Sequence, residues 1–134
     1  MNALRLYFCP FCGNMLCSLR DSGVMPTCCG EKMAAIPVNT RETLFEKHLP
    51  YVTRAGSFVG VRVGEELHPM REDHHIEWIA LLTDRGLYAT ETAPGSAPLT
   101  SFCIDENEKL ICVYAYCNLH GLWMKKLTGR DQPD

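Results

Sequence analysis

An all-β architecture in two parts is predicted by three observations. Five of the eight cysteines fall within the first 29 residues, in a segment punctuated by Pro10, Gly13, Gly23, Pro26 and Gly30. From Phe45 onward the chain runs through short apolar or alternating stretches separated by turn signals. No stretch carries a convincing helical period over an ordinary helix length.

The first part spans residues 1–36 and reads as short strands joined by tight turns. A piece of this size rarely buries enough apolar surface to fold alone, and it typically needs a metal or disulfides. Residues 37–44, "PVNTRETL", read as a connection. In the second part, residues 37–127, "SFVGVRVG" alternates, with Val59, Val61 and Val63 on one face and Gly60, Arg62 and Gly64 on the other. "IEWIALLTD" sets Ile76, Trp78, Ala80 and Leu82 on one face and Ile79 and Leu81 on the other, as in a strand covered on both sides. "GLYATETA", "LTSFCIDE" and "KLICVYAYC" follow, divided by "DRG", "APGSAP" and "DENEK". This spacing predicts a sandwich or a partly open barrel. Residues 128–134 form a polar tail.

Composition narrows the function. Apolar residues make up 46% of the 134, enough for a core, and the formal charge of −3 gives no support to general nucleic-acid binding. The N-terminus lacks the pattern of a secretory signal, and no apolar run is long enough to cross a bilayer. A cytoplasmic location is therefore expected, and with it free or metal-bound cysteines rather than disulfides.

Two constellations carry chemistry. Cys9 and Cys12 form a C-x-x-C in "CPFCGN", and Cys28 and Cys29 are adjacent in "CCGEKM". Four thiolates suit zinc or a single iron equally well, and Gly13 and Gly30 allow the turns that bring backbone N–H groups to the sulfurs. Cys17 is left over, and Cys103 and Cys112, inside apolar strands, read as core thiols. The second constellation gathers at strand ends: Cys117 and His120 in "CNLHGLW", His48 in "FEKHLP", and three of the five histidines within "HPMREDHH". One thiolate with several imidazoles suits iron or copper, and zinc less well.

Taken together, "CPFCGN", "CCGEKM", "EKHLPYV", "HPMREDHHIEWI" and "CNLHGLW" closely resemble the desulfoferrodoxin family of two-iron superoxide reductases, over nearly the whole chain. The resemblance implies a desulforedoxin-like domain, rubredoxin-like in its iron site, with iron on Cys9, Cys12, Cys28 and Cys29. It implies an immunoglobulin-like sandwich after it. There His48, His68, His74 and His120 would be equatorial ligands of a catalytic iron and Cys117 its axial thiolate, with His75 pointing away from the metal by strand parity. The implied reaction is one-electron reduction of superoxide to hydrogen peroxide. Lys47 would draw in superoxide and orient water, Glu46 would displace the product, and backbone N–H groups near Asn118 and Leu119 would tune the sulfur. Implied partners are superoxide, an electron donor such as rubredoxin or an NAD(P)H-dependent reductase, and a second copy in a homodimer. The competing readings are a rubredoxin-like electron carrier and a zinc-stabilised binding module with an inactive second site.

Overall fold

The computed structural model describes residues 3–39 and 45–127, with the side chains of Phe45 and Glu46 outside that description. The polar tail and residues 40–44 of the connection also lie outside the described residues. The chain divides into two compact units, Met1–Pro37 and Val38–Asp134.

The first unit consists of β1 (Arg5–Phe8), β2 (Met15–Ser18), β3 (Thr27–Cys28), β4 (Glu31–Lys32) and β5 (Ala34–Ala35). They form a sheet of order β2-β1-β5 and a separate β3-β4 hairpin. Among its described apolar side chains only Cys9 and Met33 are buried, while Phe11, Leu16, Leu19 and Val24 are exposed. Two buried side chains cannot offset the conformational entropy of ordering more than thirty residues, so the unit depends on a cross-link between its turns.

The second unit begins with a single helical turn, α1 (Phe45–His48), followed by β6 (Pro50–Ala55), β7 (Phe58–Val63), β8 (Ile76–Thr83), β9 (Leu87–Glu91), β10 (Leu99–Cys103), β11 (Leu110–Cys117) and β12 (Gly121–Lys126). Two antiparallel sheets result, of order β10-β7-β6 and β12-β11-β8-β9. Val59, Val61 and Val63 of the first sheet join Ile76, Ile79, Leu81, Val113, Ala115 and Cys117 of the second in one core. The all-β sandwich expected from the sequence is thus the observed architecture.

Three details depart from the sequence reading. Ile76 belongs with Ile79 and Leu81, not with Trp78, Ala80 and Leu82. The cause is a bulge: Trp78 pairs with Tyr116 but Ile76 pairs with Cys117, so β8 carries one extra residue, Glu77. A further strand, β12, follows "CNLH", and its second and third residues, Leu122 and Trp123, are both buried, which hides the alternation that marks a one-sided strand. Cys112 is buried but Cys103 is exposed, because Phe102 takes the inward position on β10 and the next side chain must point out.

Candidate metal centres

In the first unit the chain turns sharply after β1. The Gly13 N–H donates to the Cys9 carbonyl at 2.9 Å, the Cys9 N–H donates to the Asn14 carbonyl at 2.9 Å, and Gly13 has a φ of 79°. The second turn, between β3 and β4, carries Cys29 at a φ of 54°, a conformation that L-residues with a Cβ seldom adopt. In an extended chain neighbouring side chains point to opposite faces, and the turn at Cys29 is what brings two consecutive thiols together. The sulfurs of Cys9, Cys12, Cys28 and Cys29 all lie within 4.8 Å of one another. Cys12 Sγ is 3.6 Å from Cys28 Sγ, and Cys28 Sγ is 4.0 Å from Cys29 Sγ. Metal–sulfur bonds of about 2.3 Å give a tetrahedral edge of about 3.8 Å, so the set fits one ion. The Cys12 backbone N–H, the largest influence, brings Cys9 down to about 7, while hydrogen bonding with Cys12 and then Cys9 pushes Cys29 up to about 12.

In the second unit the donors arrive from three places. His48 ends α1, and Gly64 lets the chain after β7 pass close beside it. A Cβ built at Gly64 would lie 2.1 Å from the Glu66 carbonyl oxygen and 2.8 Å from that of Lys47. The His68 N–H donates to the Val63 carbonyl at 3.0 Å, and its ring Nδ1 lies 2.7 Å from the Pro69 carbonyl oxygen. With Nδ1 as the N–H, Nε2 is left as a lone pair. His74 closes a tight loop, exchanging backbone hydrogen bonds with Arg71. Cys117 and His120 flank the turn between β11 and β12.

These side chains converge. Going round, the ring centroids of His48 and His68 are 4.6 Å apart, His68 and His74 4.6 Å, His74 and His120 5.0 Å, and His120 and His48 4.8 Å. Across the ring, His48 and His74 are 6.3 Å apart. Each neighbouring pair is steeply inclined, from 69° to 87°, so the array is a closed square of edge-to-face imidazoles. His48 Nε2 lies 3.1 Å from both His68 Nε2 and His120 Nδ1, and Cys117 Sγ lies 3.9 Å from His120 Nδ1. Donor atoms of His48, His74, Cys117 and His120 all fall within 4.8 Å of one another. Metal–nitrogen bonds of about 2.1 Å put neighbouring ligands about 3.0 Å apart, close to the observed spacing. His74 Nε2 is buried without a hydrogen-bond partner among the described residues, the state of a ligand atom aimed at an ion.

The surroundings keep two of the imidazoles in their ligating form. Burial lowers His68 to about 4, and it lowers His74 as well, with His120 adding to the effect. Both imidazoles are therefore neutral near pH 7, with lone pairs available. Burial raises the Cys117 thiol, opposed by N–H groups of Leu119 and His120 that point at the sulfur. The expectation that Asn118 supplies one of those donors is corrected: its N–H donates to the His75 carbonyl at 3.1 Å.

Residues 40–126 match the family described as desulfoferrodoxin. The chain belongs to the desulfoferrodoxin family. Its relatives in that family include a desulfoferrodoxin from Nitratidesulfovibrio vulgaris, 38% identical and aligned over 91% of this chain and 95% of the relative. A desulfoferrodoxin homolog from Archaeoglobus fulgidus is 36% identical, over 90% and 94%. Among solved structures, the superoxide reductase from Treponema pallidum superposes with a TM-score of 0.78 at 30% identity, covering 92% of this chain and 98% of that one.

The desulfoferrodoxin pattern thus meets two donor clusters, one of cysteines alone and one of histidines with a cysteine. His75 stands outside the second, its Nδ1 3.0 Å from the Arg71 carbonyl oxygen. Strand parity is not the reason, since β8 starts only at Ile76 and it is the preceding loop that separates the two rings. Lys47 is exposed, and the Glu46 side chain lies outside the described residues. Sequence reasoning missed Trp123, which is fully buried and stacks on His48 with centroids 4.8 Å apart at 25°. Its place beside His120 in "CNLHGLW" was the available signal.

Proposed function

We propose that this chain is a superoxide reductase, with His48, His68, His74 and His120 holding a catalytic iron together with Cys117. The observation that supports the reading most directly is the closed square of four imidazoles beside a buried thiol. Iron held by these residues would supply the single electron that, with two protons, converts superoxide to hydrogen peroxide without dioxygen.

The remaining work falls to the chain's own groups. The N–H donors of Leu119 and His120 favour the thiolate of Cys117 against the cost of its burial. Burial keeps His68 and His74 neutral, so protons do not compete for their lone pairs. Lys47, exposed next to His48, offers an ammonium that attracts a small anion and orients water for proton delivery. Glu46 is assigned the carboxylate that displaces product.

In the same reading residues 1–36 form a desulforedoxin-like domain whose Cys9, Cys12, Cys28 and Cys29 hold iron or zinc, and residues 37–127 form the immunoglobulin-like catalytic domain. Electrons come from a rubredoxin-like protein or an NAD(P)H-dependent reductase, and the chain works as a cytoplasmic homodimer. The electron donor and the homodimer rest on the family resemblance. Among the described residues no helix is long and apolar enough to cross a membrane.

The test is stoichiometric. Iron-loaded protein, reduced without air, is mixed with superoxide, and both peroxide and dioxygen are measured. One peroxide per superoxide with no dioxygen is expected. Dioxygen released in a dismutation ratio, or no reaction faster than the spontaneous one, would overturn the assignment.

A further inference from the structure

We propose that Asn118 is a positioning residue that clasps the His74 loop to the turn bearing Cys117 and His120. The inference rests on reading the histidine–cysteine cluster as a metal centre. Residues 71–74 form a tight unit of their own: the Arg71 N–H donates to the His74 carbonyl at 2.9 Å and the His74 N–H returns to the Arg71 carbonyl at 3.2 Å. His75 Nδ1 adds a contact of 3.0 Å to the same Arg71 carbonyl. Such a loop is internally stiff, so its accuracy as a ligand carrier depends on how it is fixed to the sheet.

Asn118 makes that attachment at both sides of His74. Its Oδ1 accepts the His75 N–H at 2.9 Å, and its Nδ2 donates to the Asp73 carbonyl at 3.1 Å. Its own N–H donates to the His75 carbonyl at 3.1 Å. One residue thus ties the backbone on either flank of His74 to a point directly after Cys117 and two residues before His120. Asparagine suits this place because the two side-chain bonds need an acceptor and a donor from one planar group. Aspartate has the same shape but, when ionised, only accepts. A ligand sits within a few tenths of an ångström of its working position only if its supporting bonds hold it there, and loss of such a partner typically costs about 10–100-fold in metal affinity.

The experiment compares the metal-free full chain with Asn118→Ala and Asn118→Asp by titrating cobalt(II) against a competing chelator. Absorption separates a four-thiolate cobalt centre from a histidine–thiolate one, so the cysteine centre serves as an internal control. Asn118→Ala is expected to weaken cobalt at the histidine centre by about 10–100-fold while leaving the cysteine centre unchanged. Asn118→Asp, which keeps the bond to the His75 N–H, should fall between Ala and the unaltered chain. Hydrogen exchange of the His75 amide in the metal-free protein should quicken in the Ala variant and recover in part in the Asp variant. Unchanged affinity in Asn118→Ala, or a parallel fall at both centres, would overturn the clasp. If the Ala variant does not fold, Asn118→Asp decides alone: a loss confined to the histidine centre supports the clasp, and unchanged affinity overturns it. No readout uses superoxide, so failure of the clasp and failure of the proposed reaction are told apart.

Discussion

The indole of Trp123 stacks on the imidazole of His48, 4.8 Å between centroids and 25° between planes, and Trp123 is completely buried. The aromatic face fixes the plane of His48, whose Nε2 stands 3.1 Å from both His68 and His120. Trp123→Ala should cost about 3–5 kcal/mol of stability by cavity formation. Trp123→Phe, which keeps an aromatic face, should fold and retain most of its metal at the histidine centre. Thermal melts with metal analysis check this. Equal metal loss in the two variants would mean that stacking is irrelevant to His48.

His74 and His75 are neighbours with different surroundings. His74 presents a buried Nε2 with no hydrogen-bond partner among the described residues, while His75 Nδ1 meets the Arg71 carbonyl. His74→Ala should lose or cripple the histidine centre, and His75→Ala should keep both metals with a stability change within about 1 kcal/mol, the value of one exposed hydrogen bond. Metal content of the purified variants decides, and similar loss in both would show that His74 is not special.

Cys28→Ser should abolish the four-cysteine centre. Since the first unit buries only Cys9 and Met33 among its described apolar side chains, its turns should then become sensitive to proteases. Superoxide consumption by the pre-reduced variant should stay near that of the unaltered chain. A rate that collapses with the first centre would mean that the two metals do not act separately.

Lys47 is exposed and adjacent to His48, in a chain whose net charge is −3. Local positive charge can raise the encounter rate with an anion by roughly tenfold or more, and salt screens it over about 8–10 Å. The rate with superoxide should fall as salt rises. Lys47→Ala should be several-fold slower at low salt, with a flattened or inverted salt dependence. Pulse radiolysis across ionic strength measures both, and an unaltered slope would remove Lys47 from the encounter.

Glu108 supplies the pH dependence. Burial raises its carboxyl, but hydrogen bonds from Thr83 Oγ1, the Asp105 N–H and Tyr88 Oη outweigh this and leave it below the ordinary glutamate value. A lowered folded-state value means that the ionised carboxylate stabilises the fold above the unfolded-state pKa, and that this contribution fades as pH falls through the folded value. Glu108→Gln should cost on the order of 1–3 kcal/mol near neutral pH, because an amide N–H₂ would then face a set of donors. The difference between variant and parent should shrink in acid. Denaturant melts between neutral pH and pH 3 test the sign.

The donor types were legible because metal ligation needs soft or imidazole side chains at chain reversals, and Cys9, Cys12, Cys28, Cys29, Cys117 and His120 announce themselves by spacing. His48 and the crowded histidines of "HPMREDHH" stood out at strand ends, but only the resemblance chose His68 and His74 over His75. The alternation of Val59, Val61 and Val63 was equally plain, since β7 is covered on one face. What escaped depends on partners. The face taken by Ile76 is set by its pairing with Cys117 across a bulge, the direction of the Asn118 N–H by the loop that folds beside it, and the exposure of Cys103 by its neighbour Phe102. None of these is a property of a short window of sequence.

The extra residue at Glu77 has a consequence beyond local shape. Its carbonyl accepts the Thr92 N–H, and the Thr92 hydroxyl donates to the Ile76 carbonyl, so the residue directly after β9 holds the irregularity in place. Were the pairing of Trp78 with Tyr116 continued without the bulge, Cys117 would face Glu77, Ile76 would turn outward, and everything upstream would enter the sheet half a pleat out of phase. The segment bearing His68 and His74 would then be delivered to the wrong side of the strand that bears Cys117. A residue with no donor atom in the cluster therefore sets the phase at which three ligands meet. Single-residue insertions and deletions near β8 should be far more damaging to metal binding than substitutions at the same positions.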